Sequence, residues 1–87
     1  MPNESVMHII IKFTSLFKVY CGVDQDEIDV VDGTTVEQLG QQLSKKYTNL
    51  PFESDQTLFF VNNKNAKRDC ILADGDVVRI FQTLAGG

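Results

Sequence analysis

The chain has 87 residues, 43% of them hydrophobic and 23% charged, and a formal net charge of −4. These totals fit one ordinary globular domain and exclude a disordered chain, and the acidic balance excludes a nucleic-acid partner held through its phosphates. Two distant cysteines, Cys21 and Cys70, and a single histidine, His8, form no zinc spacing and fit a reduced, cytoplasmic protein.

From the start, Met-Pro-Asn-Glu-Ser lacks the basic and apolar regions of a signal peptide, and residues 1–6 read as a flexible leader. Val6 to Phe13 reads as a strand, and three consecutive isoleucines, Ile9 to Ile11, predict burial on both of its faces. The apolar run is far too short to cross a bilayer, so no membrane partner is expected. Thr14-Ser15 supplies an N-cap and Gly22 a left-handed stop, which predicts a short helix through Leu16, Phe17, Val19 and Tyr20. An acidic segment from Asp24 to Asp29 merges into a second strand that alternates from Glu27 to Val31, and Asp32-Gly33 is a turn signal.

The clearest helix follows. Val36, Leu39 and Leu43 fall on one stripe, which Tyr47 continues. Thr34 or Thr35 caps it, and from Thr34 the residue completing a capping box is Glu37. Lys45 and Lys46 favour the negative end of the helix dipole. Gly40 costs about 1 kcal/mol in helix propensity against Ala, and its small size suits close packing on a sheet. Asn49 to Asp55 reads as a loop and Leu58 to Val61 as a third strand. Asn62-Asn63 makes a turn, because Asn tolerates positive φ. Cys70-Ile71-Leu72 reads as a short buried piece, Asp74-Gly75-Asp76 as a tight turn, and Val77 to Phe81 as the last strand.

An α+β domain satisfies every stripe: a mixed sheet of four to five strands, one main helix on one face and a short helix after the first strand. The most apolar strands are the first and the last. A β-grasp arrangement sets them side by side, parallel and central, and it suits one main helix better than a ferredoxin-like fold, which wants two of comparable length.

No nucleophile–base pair, phosphate loop or calcium loop can be assembled from these residues. His8 reads as a structural or surface residue. Chemistry is left to the end, Leu84-Ala85-Gly86-Gly87, where no charged side chain follows Arg79. Four extended residues reach about 13 Å, and two glycines pass a narrow channel without side chains to block it. A terminal carboxylate with a pKa near 3.5 is ionised at neutral pH and resists nucleophiles until activated. Adenylation is the simplest activation. A sulfur nucleophile then yields a thiocarboxylate, and a lysine amine yields an isopeptide.

In sequence order, the Phe13–Gly22 segment, Asp32-Gly33-Thr34-Thr35-Val36, Leu58–Asn63, Arg68-Asp69, Leu72–Val77 and the final Gly86-Gly87 resemble the ubiquitin-like sulfur-carrier superfamily. The likeness runs from about Met7 to Gly87 and is greatest to the small, sulfur-carrying subunits of molybdopterin synthases. It implies a β-grasp domain over 7–83 and an extended, flexible tail over 84–87. It implies that Gly87 is the reacting residue, that Gly86 lets the tail thread, and that Phe81, Leu84, Ala85 and Phe13 bind partners. It further implies three partners, namely a ubiquitin-activating-type adenylating enzyme, a sulfur donor protein and the large subunit of molybdopterin synthase. ATP and magnesium would be used by the adenylating enzyme, with no cofactor bound by this chain, which would be a carrier and not an enzyme alone. Two departures stand out. Gln82-Thr83 occupies the place of a frequent Pro-Pro pair, and Asn65 stands where relatives often present an apolar contact. A ubiquitin-like protein modifier joined through Gly87, or a carrier for thiamine thiazole or a tungsten cofactor, is the alternative.

Overall fold

The computed structural model describes residues 5–48 and 50–83. In chain order the elements are β1 (Val6–Phe13), α1 (Ser15–Cys21), β2 (Gln25–Val31), α2 (Val36–Lys46), β3 (Thr57–Val61), β4 (Lys64–Ala66) and β5 (Val77–Gln82). They form one five-stranded sheet in the order β2-β1-β5-β3-β4. The two most apolar strands, β1 and β5, are parallel neighbours in which Phe13 lies beside Ile80. β2 pairs with β1 and β3 with β5, both antiparallel, so these two strands flank the central pair. This is the β-grasp arrangement that the strand hydrophobicity implied. β4 is a short edge strand whose polar sequence carries no strand signal, and it forms because the Asn62-Asn63 turn folds it back on β3. Both asparagines take positive φ, 52° and 69°.

Alternation in the strands builds the core on one face. Met7, Ile9, Ile11 and Phe13 of β1 point inward with Val30, Phe59, Val78 and Ile80, and meet Val36, Leu39 and Leu43 of α2. Each such side chain contributes roughly 1.5–3 kcal/mol when fully buried. Ile10 departs from the expected burial on both faces. The main helix covers only one side of the sheet, and Ile10 lies half-buried on the other, opposite Glu27 and Val77. Gly40 faces the sheet within α2. A Cβ there would come within 3.3 Å of the Phe59 ring, tighter than ordinary contact, so the ring would have to give by a few tenths of an ångström.

Caps shift by one residue from one of the two expected registers. Thr35 is the N-cap of α2, accepting from the Gln38 N–H while the Gln38 side chain accepts from the Thr35 N–H. Thr34 is instead buried and donates to the Val31 carbonyl at 2.7 Å, tying β2 to the helix start. At α1, Gly22 closes the helix in the left-handed region at φ 76° as expected. Thr14 stands at the N-cap, yet its hydroxyl donates to the Ile80 carbonyl at 2.6 Å and makes no cap. The Cys70–Leu72 piece also differs from expectation. Leu72 is buried and Ile71 is 66% exposed, because this segment forms a single bridge to Thr35 and alternates about it. Among the described residues, no helix is long and apolar enough to cross a membrane.

Candidate functional site at the exit of the last strand

β1 and β5 run toward the same end of the sheet, and the described chain ends there. Its last described residue, Thr83, is held twice by Gln56. The Thr83 N–H donates to the Gln56 carbonyl at 2.8 Å, and the Thr83 hydroxyl donates to the same oxygen at 3.1 Å. One residue earlier, Gln82 is in register with Thr57. The Thr57 hydroxyl donates to the Pro51 carbonyl, and Arg68 donates to the Ser54 carbonyl at 2.6 Å. These bonds make a collar that ties Gln82-Thr83 to the loop before β3.

An aromatic cluster supports the collar from the helix side. Phe52 stacks on Phe17 with ring centres 5.0 Å apart, and Phe13 meets Tyr47 edge to face at 5.5 Å. Phe13 is thus a core residue, 4% exposed, and the structure places it on the opposite face of the sheet from Phe81. Phe81 lies half-buried on the open face, and its ring meets Phe60 edge to face at 5.1 Å. Leu58, in register with Phe81, and Phe60 extend an apolar strip there, with Arg79 and Lys12 neighbouring it. Sequence reading passed over Leu58 and Phe60. The signal was present in the alternation of Thr57 to Val61, which turns 57 and 59 inward and 58 and 60 outward. Of the expected site residues, Leu84, Ala85, Gly86 and Gly87 lie outside the described residues.

Two polar groupings lie on the two faces of the sheet. On the open face His8 sits between two β2 carboxylates, its Nδ1 2.8 Å from Asp29 and its Nε2 2.7 Å from Glu27. Hydrogen bonds to Asp29 and then Glu27 raise its pKa above the ordinary value. On the helix side, the Asp26 carboxylate accepts from Lys46 Nζ and from the Tyr47 hydroxyl, both at 2.6 Å. Burial pushes Asp26 upward, but those two bonds and one from the Glu27 N–H outweigh it and hold the carboxyl below the usual range. The same contact raises Tyr47, by burial first and then by its bond to Asp26. Burial, with Asp26 adding, pushes the Cys21 thiol up as well, so Cys21 is a poor nucleophile. Among the described residues, no group of three or more His, Cys, Asp or Glu side chains is arranged to hold a metal ion.

A five-stranded sheet with parallel central β1 and β5, one main helix across one face and a strand that delivers the chain end define a ubiquitin-like β-grasp protein. An archaeal ubiquitin from Caldiarchaeum subterraneum shares this fold, with a TM-score of 0.67 at 20% identity, over 95% of this chain and 100% of that one. The profile of the ThiS family matches residues 13–87, and the chain belongs to the ThiS family. It is similar to the molybdopterin synthase sulfur carrier subunit of Mycobacterium tuberculosis, 35% identical over 63 residues that span 72% of this chain and 76% of the relative. It is also similar to the structure of a molybdopterin converting factor, subunit 1, from Pyrococcus furiosus. The TM-score there is 0.78 at 25% identity, over 90% of this chain and 99% of that one.

Proposed function

We propose that this chain is a sulfur carrier for molybdopterin synthesis and that the carboxylate of Gly87 is the group it carries to reaction. The family match supports this reading, because it runs through the root of the exit and includes Gly86-Gly87. The likeness to a sulfur carrier subunit of molybdopterin synthase supplies the acceptor class. In the first step a Gly87 carboxylate oxygen attacks the α-phosphate of ATP on a partner enzyme, giving the acyl adenylate and releasing pyrophosphate. In the second, hydrosulfide already released by a donor protein attacks the acyl carbon and loses its proton to solvent. The C–O bond to AMP breaks, AMP departs with its electron pair, and a thiocarboxylate remains.

This chain's share of that chemistry is positional. The Gln56–Thr83 collar holds the chain as far as Thr83, so a partner has to position only the four residues that follow. The strip of Phe81, Phe60 and Leu58 offers an apolar seat for a subunit that receives the tail, and Arg79 and Lys12 beside it offer charge for orientation. The large synthase subunit is the partner that would use this face. On this reading the chain is not an enzyme alone, and ATP and magnesium belong to the adenylating partner.

The test is intact mass of the protein purified gently from its native cells, followed by fragmentation of the C-terminal peptide. One oxygen replaced by sulfur at Gly87 is the expected result. A branch of residues 80–87, cut after Arg79 and joined through Gly87 to lysines of other proteins, with no thiocarboxylate even after incubation with activating enzyme, ATP and sulfur donor, would replace the carrier by a protein modifier. Substitution of Gly86 by Phe, or one residue added after Gly87, is expected to abolish thiocarboxylate formation while circular dichroism stays unchanged.

A further inference from the structure

Helix α1 is apolar on both of its sides, although it lies on the surface. Its inner side is accounted for. Phe17 is fully buried on Phe52, and Cys21 packs against the core beside it. The outer side is not. Leu16, Val19 and Tyr20, at spacings of three and four, lie 42%, 74% and 51% exposed, and Val23 just past the Gly22 cap continues the stripe at 43%. A helix that keeps apolar residues on its solvent face forgoes the usual amphipathic pattern, and contiguous exposed apolar side chains mark interaction surfaces. The charge of Lys18 is matched locally by Asp24 at 3.5 Å, so the stripe presents little net charge.

Its location narrows the occupant. α1 follows β1 directly, and Thr14 fastens its start to β5 through two bonds to the Ile80 carbonyl, from the N–H at 3.3 Å and the hydroxyl at 2.6 Å. Ile80 precedes the collar residue Thr83 by three positions, about 10 Å of extended chain at most. The stripe therefore borders the exit. On the reading that Gly87 is the reacting end, residues 84–87 are the tether, and they span about 13 Å when fully extended. An enzyme that brings Gly87 to a buried reacting centre with so short a tether must press the rim of its channel against this end of the sheet. The apolar, locally neutral α1 stripe is part of the surface it meets.

We propose that Leu16, Val19, Tyr20 and Val23 form a docking surface for the enzyme that adenylates Gly87, seated on an apolar rim of that enzyme's channel. This rests on the reading of Gly87 given above. It is a second contact, distinct from the open sheet face of Phe81, Phe60 and Leu58, and lies on the other side of the exit. Two contacts flanking the tail would fix its direction of entry as well as its depth.

The experiment measures the affinity of the full chain for its purified adenylating enzyme by titration calorimetry, together with ATP–pyrophosphate exchange. Val19→Lys and Tyr20→Ser change exposed side chains, and unchanged circular dichroism and thermal midpoints verify the fold. Each is expected to weaken binding about tenfold or more, as loss of a central apolar contact does, and to raise the apparent KM in exchange with kcat kept within about twofold. Affinity unchanged to within about twofold in both variants would overturn the proposal. So would a concentration-dependent dimer in light scattering that Val19→Lys dissolves, which would assign the stripe to a second copy of this chain. Deletion of Gly87 separates the two readings. It should abolish exchange while binding stays sensitive to Val19→Lys. If exchange survives the deletion, the Gly87 reading fails, and the affinity ratio still decides the α1 surface.

Discussion

Replacing Phe52 by alanine should cost more than any other single truncation in the loop between α2 and β3. The side chain is fully buried, stacks on Phe17 at 5.0 Å, and lies 6.3 Å from the Phe13 ring and 6.2 Å from the Tyr47 ring. Truncation of a buried Phe to Ala costs about 3–5 kcal/mol, combining lost transfer energy with an unfilled cavity. The upper half of that range is expected here, because three aromatic neighbours lose a partner and aromatic pairs contribute roughly 0.5–1.5 kcal/mol beyond burial. At about 0.05–0.15 kcal/mol per residue, a domain of this length has roughly 4–13 kcal/mol in all. The variant would then lose about a third or more of its stability, with a fall in thermal midpoint of at least about 16 °C. Urea unfolding followed by circular dichroism, with Phe52→Leu as a milder companion, gives the number. A loss below about 1 kcal/mol with unchanged m-value would refute the view that Phe52 anchors α1 and the strand exit together.

Two further outcomes follow from the packing and the charges. Gly40→Leu should destabilise by about 1–3 kcal/mol despite leucine's better helix propensity, since its Cβ already stands 3.3 Å from the Phe59 ring and the further carbons have no space between helix and sheet; chemical denaturation would show it. The raised pKa of His8 means that the protonated ring is favoured in the folded state, so its stabilising share is fully present below the unfolded value of about 6.5 and is lost as pH rises through the higher folded value. Thermal midpoints from about pH 5.5 to 8.5 should therefore fall more steeply for the wild-type chain than for His8→Ala, and parallel curves would show that Asp29 and Glu27 do not hold the proton there.

How much of this was legible follows from the range of each interaction. The α2 stripe of Val36, Leu39 and Leu43, the left-handed stop at Gly22 and the Asn62-Asn63 turn are decided within a few residues, and they stand where local chemistry put them. Parallel central placement of β1 and β5 was also legible, because only an interior position rewards such apolar strands. β4 was not, since Lys64-Asn65-Ala66 becomes a strand only through its partner. Thr14 reads locally as a cap, yet its hydroxyl serves Ile80, 66 positions away.

The sequence by itself determined a β-grasp domain of the ThiS family and the choice of Gly86-Gly87 as the stretch to test, because periodicity, capping and motif order survive without coordinates. Only the tertiary structure decided that Phe13 supports the core while Phe81, Phe60 and Leu58 face outward. It also decided that Phe52, from a segment that reads as loop, is core, and that the second side of α1 stays bare. The physical reason is that a side chain's face is set by strand register and by which surfaces the one main helix covers. Those are properties of distant segments brought together, and no local window contains them.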